Sequence, residues 1–265
     1  GVWTATERVD RTAFASDLEL EYFARQTAYQ HGPVWTAFEN GTAPATGVWG
    51  AYTISRTFGG AEGSGEDFFA VGLEAPGQTP VIAIRGTPNP LEILTDQDPS
   101  GVGASQFNNA WPEMEAWLAA RPGTSVSGHS LGGAHVQRLA LAAAAADITL
   151  GKVHTFNAAG IEIPAGGANT GTRAEVRHYV ASGDLVSQIG ATFLPGEVVF
   201  YDFDSFESDN PFSQLLTAHA DHWAQPKLYD EAGSAGVFGQ IPDGLAIVPG
   251  LTDAATLSRR DFSLL

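Results

Sequence analysis

Cysteine is absent from the 265 residues, which removes disulfides, thiolate metal sites and a cysteine nucleophile, and leaves the compartment open. Lysine is almost absent too, with only Lys152 and Lys227. The chain carries 13 basic residues against 30 acidic ones, a formal net charge of −17. A field of that sign repels phosphate backbones, so nucleic acid and an anionic membrane surface are poor partners, and solubility is the plainest use of the charge. No apolar run approaches the roughly 18 residues that cross a bilayer. No linker, low-complexity tract or internal repeat divides the sequence, so residues 1–265 are read as one α/β domain, expected as a monomer. The first residue is Gly1 rather than methionine, which we read as a processed N-terminus after removal of a signal peptide, with secretion as the expected destination.

Glycine, by contrast, is plentiful at 31 residues, and two of them frame the most informative stretch, Gly128-His129-Ser130-Leu131-Gly132. A strand that turns sharply into a helix can expose a serine at its tip only if the residues two before and two after have almost no side chain. With so much glycine the five-residue pattern is weak by itself, and its surroundings carry the argument. Residues 123–127 form a short extended segment after Arg121-Pro122, where a helix from Ala104 to Ala120 is expected to stop. From Leu131 onward the sequence is rich in leucine and alanine, good helix formers, with Gly132 and Gly133 allowing close approach to a sheet. Ser130 is therefore the candidate nucleophile.

Acyl transfer from such a serine needs hydrogen-bond donors aimed at the developing oxyanion. One is the amide of the following residue, Leu131. The second must come from another strand end. Thr79-Pro80-Val81-Ile82-Ala83-Ile84 is a continuous apolar run suited to a buried strand, and it delivers Arg85-Gly86-Thr87. Thr87 offers both an amide and a hydroxyl. The combination of Ile84-Arg85-Gly86-Thr87, Gly-His-Ser-Leu-Gly-Gly at 128–133 and Phe156-Asn157-Ala158-Ala159-Gly160 resembles the class 3 lipases, the α/β-hydrolase group that includes fungal triacylglycerol lipases; a bacterial-type secreted member is expected. The resemblance covers roughly residues 10–225. It implies an α/β-hydrolase fold, a mostly parallel sheet flanked by helices, an oxyanion donor at Thr87 and a triad in the order Ser, Asp, His.

The remaining expectations follow the chain. Thr6 to Gln30 reads as an amphipathic helix through Phe14, Leu18, Tyr22 and Tyr29, and residues 47–74 as two strands joined by a loop whose acidic part is a solvated turn. Residues 88–109 hold Leu91, Ile93 and Leu94 in a polar stretch; the family carries a lid here, and a permanently packed helical turn is the alternative. Strands are expected at 152–157 and 176–180. The second delivers Asp184 within four residues of its end, where a triad acid belongs, ahead of Asp202, Asp204 and Asp209. The family's order leaves His219 and His222 as bases. A loop histidine followed by an aromatic favours His219 with Trp223, and His222 is the alternative. The acidic loop 202–210 lacks the Asp-x-Asp-x-Asp-Gly spacing of a calcium loop, so no metal and no cofactor are expected. The tail from Glu231 has no legible chemistry.

The expected activity is hydrolysis of acylglycerols or related long-chain esters, a lipid or a lipid–water interface being the partner. The alternatives are a short-chain esterase, a polyester hydrolase or a phospholipase, and, from another class, a catalytically silent binding scaffold.

Overall fold

A computed structural model of the chain describes residues 7–8, 17, 19–42, 52–60, 68–87, 103–163, 174–181, 184, 186–201 and 246–247. The strands are β1 (Glu7–Arg8), β2 (Thr53–Gly59), β3 (Phe69–Glu74), β4 (Val81–Ile84), β5 (Thr124–His129), β6 (Leu150–Phe156), β7 (Glu175–Ala181), β8 (Glu197–Tyr201) and β9 (Ala246–Ile247). They form one sheet in the order β1-β9-β8-β7-β6-β5-β4-β3-β2. Its centre, β4 through β8, is parallel, and antiparallel strands complete both edges. Parallel strands need cover on both faces, which is why β4 is buried along its length and reads as an uninterrupted apolar run.

Alternation along the strands sorts the core into two layers. Val71, Leu73, Val81 and Ala83 face the N-terminal helical segment and the helix α1 (Gly32–Glu39), packing with Leu20, Phe23 and Trp35. Ala70, Ile82, Ile84, Val126 and Val153 face the helices α2 (Ala104–Ala119) and α3 (Leu131–Ala145), packing with Met114, Trp117 and Leu139. Gly72 lies on this second face because a Cβ there would approach Trp117 to 3.0 Å.

The expected helix over Thr6–Gln30 is corrected in two places. Glu7–Arg8 is a strand paired with β9. Helical residues 19–22 run into a π-helical turn, Phe23–Thr27. The two strands expected in 47–74, the helix from Ala104 and the strands near 152–157 and 176–180 are present.

Asp17 anchors this N-terminal segment to the sheet. Fully buried, it accepts hydrogen bonds from Lys152 Nζ (2.8 Å), Arg177 Nη1 (2.6 Å) and the Tyr179 hydroxyl. His154 lies between Asp17 and Glu175, 3.4 Å from each. Asp17, His154 and Glu175 could in principle hold a metal ion. Two side-chain cations already neutralise Asp17, so the donor set is that of an ion network. Burial pushes the Asp17 carboxyl up, but His154, Lys152 and Tyr179 outweigh it and hold it below its ordinary value. A depressed carboxyl adds stability above its unfolded pKa and loses it as pH falls through the folded one. Asp17→Asn removes the one buried carboxylate of this network, while Arg177 keeps Glu197 at 2.5 Å and Glu175 at 3.6 Å, and should lower unfolding stability by about 1–3 kcal/mol at pH 7. Urea unfolding measures this, and the gap between variant and parent should narrow below about pH 4. A gap that stays constant down to pH 2 would show that Asp17 is not an anchoring carboxylate.

Candidate active site

Ser130 stands at the tip between β5 and α3 with φ 60° and ψ −126°, outside the regions ordinarily open to a residue bearing a Cβ. Its flanking glycines are required by contact. A Cβ on Gly128 would come within 2.3 Å of the Gly132 carbonyl oxygen, and one on Gly132 within 2.2 Å of the Ile84 oxygen. The turn is clamped from the next strand, since the Ser130 amide donates to the Phe156 carbonyl at 3.0 Å. The Asn-Ala-Ala-Gly stretch after β6 also explains itself. Asn157 takes a positive φ of 46°, and a Cβ on Gly133 would lie 2.3 Å from the Ala158 Cβ, so small residues on both sides let α3 approach the strand ends. Buried Gln137 stitches the region, donating to the Ala159 carbonyl and accepting from the Leu194 amide.

Leu131 is the first residue of α3. Amides of a first helical turn have no partner within the helix, and the positive end of the helix dipole favours negative charge at this point. Thr87 lies three residues beyond the end of β4, half-buried. The residue before it is packed directly on the elbow: a Cβ on Gly86 would be 2.6 Å from the His129 oxygen and 2.9 Å from Ser130 Cβ. The β4–β5 register, with Ile84 opposite Gly128, produces this juxtaposition. Leu131 and Thr87, the residues expected to supply oxyanion donors, thus lie at the same end of the sheet as Ser130.

Asp184 follows β7 by three residues and is 2% exposed. Its Oδ1 accepts the Val186 amide at 3.1 Å, and its Oδ2 accepts the Ser187 amide at 3.1 Å together with the Ser187 hydroxyl. The carboxylate thereby caps the 3₁₀ turn Val186–Gln188. β6 separates β5 from β7, so the ends of the strands carrying Ser130 and Asp184 are two strand spacings, about 10 Å, apart.

His219 and His222 lie outside the described residues, as do Asp202, Asp204, Asp209, the loop 202–210 and residues 88–102 of the expected lid. From Ala104 the lid segment is already α2, with Phe107 buried in the core. Two described histidines are committed elsewhere. His178 is flanked by the Thr155 hydroxyl at 2.8 Å and the Leu194 carbonyl at 2.9 Å, and burial pushes it down to about 4. His135, between Phe68 and Phe107, is pushed down by burial to about 3. Both are neutral at pH 7.

Sequence reasoning missed Ser187 and Tyr29. Ser187 was legible in the Asp-x-x-Ser spacing of a capped turn. Tyr29, counted as one apolar stripe residue, places its hydroxyl 3.1 Å from His129 Nδ1.

No family model matches the sequence, and no curated protein matches it. Among solved structures, the chain is similar to lipase II from Rhizopus niveus, at 19% identity over 76% of this chain and 83% of that one, with a TM-score of 0.53. It is similar to a triacylglycerol lipase from Penicillium expansum, at 15% identity over 94% and 97%, TM-score 0.51. A third structure, of a triacylglycerol lipase whose catalytic centre is described as a serine protease triad, aligns at 16% identity over 87% and 100%, TM-score 0.54. At these identities the likeness is one of architecture, and it agrees with the parallel sheet, the flanking helices and the strand–turn–helix elbow: the chain has an α/β-hydrolase fold.

Proposed function

We propose that the protein is a secreted serine carboxylic ester hydrolase of lipase type. The observation that carries this reading is the elbow itself: Ser130 is held at φ 60° between two glycines that admit no side chain, with the Leu131 amide and Thr87 at the same sheet end. Strain of this kind, about 1–3 kcal/mol, persists where function requires it. Fold neighbours that are triacylglycerol lipases support the same reading.

In the proposed mechanism His219, or His222 in its place, takes the proton of Ser130 as the hydroxyl attacks an ester carbonyl. Asp184 orients the imidazole and stabilises its protonated form. The Leu131 amide and Thr87 hold the tetrahedral oxyanion. The alcohol leaves with the proton, and water attacks the acyl-enzyme by the same route to release the acid. No cofactor or metal takes part, and the substrate is a lipid or related long-chain ester.

The test is a series of p-nitrophenyl esters from short to long acyl chains. The expected result is a rate that rises with chain length and jumps where the ester passes its solubility limit, as a lid opening at an interface requires, its expected span ending before α2 at Ala104. Smooth saturation with a short-chain optimum would turn the reading to a short-chain esterase. A parent protein inert on every ester would leave the silent scaffold.

A further inference from the structure

Tyr29 is not among the triad or oxyanion residues, yet its hydroxyl occupies the junction between the oxyanion loop and the elbow. Its oxygen accepts a hydrogen bond from the Gly86 backbone and lies 3.1 Å from His129 Nδ1. The packing is close enough that a Cβ on Gly86 would sit 2.5 Å from it. The two rings are tilted at a centroid distance of 5.9 Å. Burial pushes the phenol up to about 12, so it keeps its one proton at working pH. A phenol that accepts from an amide has that proton to donate, and His129 Nδ1 is the acceptor in reach. One hydroxyl thus joins Gly86, the residue before Thr87, to His129, the residue before Ser130.

The sheet does not supply this link. The β4–β5 ladder runs from Val81 opposite Ser125 to Ile84 opposite Gly128 and stops. Arg85 is held on its other side, its amide donating to Phe69 at 2.9 Å. Thr87 lies three residues past the last β4–β5 pair, and a misplacement of about 1 Å at a catalytic group costs on the order of 10²-fold in rate.

The N-terminal segment is shaped to deliver the phenol. In an unbroken α-helix Tyr29 would follow Tyr22 down one face at a spacing of seven. The π-helical turn Phe23–Thr27, with Ala28 N–H bonded to Phe23 and His31 N–H to Gln26, rotates Tyr29 by roughly a quarter turn. That turn packs against β4 and β5. Gln30, at φ 64°, then ends the segment.

We propose that Tyr29 is a positioning residue of the oxyanion hole, its hydroxyl fixing the Gly86-Thr87 backbone relative to the nucleophile elbow. The inference rests on the ester hydrolase reading. The effect belongs to the transition state, because the oxyanion donors engage fully only when charge develops on the carbonyl oxygen.

The experiment compares Tyr29→Phe with the parent on one p-nitrophenyl ester, with kcat expressed per serine titrated by a p-nitrophenyl phosphonate. The expected result is a fall in kcat of at least about tenfold with KM changed less than about threefold. The phosphonylation rate should fall in parallel, and the His129 Nδ1 nitrogen resonance should move as it loses its donor. A purely structural role would lower the melting temperature and the titratable fraction and leave kcat per titrated serine intact, which would overturn the inference. So would a variant within twofold of the parent. If the parent itself is inert on every ester, the hydrolase reading fails and takes the inference with it; if the parent is active and Tyr29→Phe equally so, the inference alone fails.

Discussion

Ser130→Ala is expected to lower kcat on any ester the parent hydrolyses by about 10⁵-fold or more, because no other group at the elbow forms the acyl-enzyme and the triad acts as a unit. Stopped assays at high protein concentration measure the residue of activity, and circular dichroism confirms the fold. Activity surviving in that variant would remove Ser130 as nucleophile. A second substitution separates chemistry from strain. At φ 60° and ψ −126° a Cβ is held in a disfavoured conformation, which alanine retains and glycine does not. Ser130→Gly should therefore be as inactive as Ser130→Ala yet more stable than it by about 1 kcal/mol, the relief being partly offset by the larger backbone entropy of unfolded glycine. Urea midpoints of the two inactive variants give the comparison. Equal midpoints, or a less stable glycine variant, would mean that the elbow stores no strain worth relieving.

The elbow was legible because each of its requirements falls on a residue type. Gly128 and Gly132 are needed for lack of a side chain, and Val81 to Ile84 is apolar throughout because both its faces are covered. Helix α2 shows its core face in Phe107, Met114, Trp117 and Leu118, all buried. The place of Asp184, three residues past the end of β7, is where the sequence reading put it. Other features depend on partners far along the chain. β1 and β9 have two residues each, too few to set a period, and they exist because they pair with each other and with β8. The π-helical turn has no residue signature, so the reading of Thr6–Gln30 as one helix put Tyr29 in an apolar stripe. β8 is readable in the apolar run Val198-Val199-Phe200-Tyr201 that precedes the acids of the 202–210 loop. The triad order that the lipase resemblance implies restricts the expected base to His219 or His222, both outside the described residues.

Asp184→Asn should give the other large effect, with two separable parts. As the proposed triad acid, Asp184 would fix the histidine tautomer that accepts the serine proton; an amide in its place would stabilise the wrong tautomer, and a loss of about 10⁴ in kcat is expected. The structural part arises because the carboxylate is also a cap. Oδ1 accepts the Val186 amide, while Oδ2 accepts both the amide and hydroxyl of Ser187. An asparagine has one acceptor oxygen, so its NH₂ must face one of these backbone donors, leaving a buried N–H unpaired at about 1–3 kcal/mol. Ser187→Ala removes the hydroxyl alone, keeps both backbone bonds, and should cost about 1 kcal/mol with kcat lowered no more than about tenfold. Measured together, kcat and urea midpoints of the two variants distinguish an acid that acts on the base from a cap that merely holds its turn. If Asp184→Asn loses stability but keeps kcat within tenfold, Asp184 is only the cap, and the acid belongs to the loop carrying Asp202, Asp204 and Asp209. If it loses kcat far beyond what Ser187→Ala does, the same carboxylate performs both tasks, and the rigidity its turn imposes is what allows it to hold an imidazole in register with Ser130.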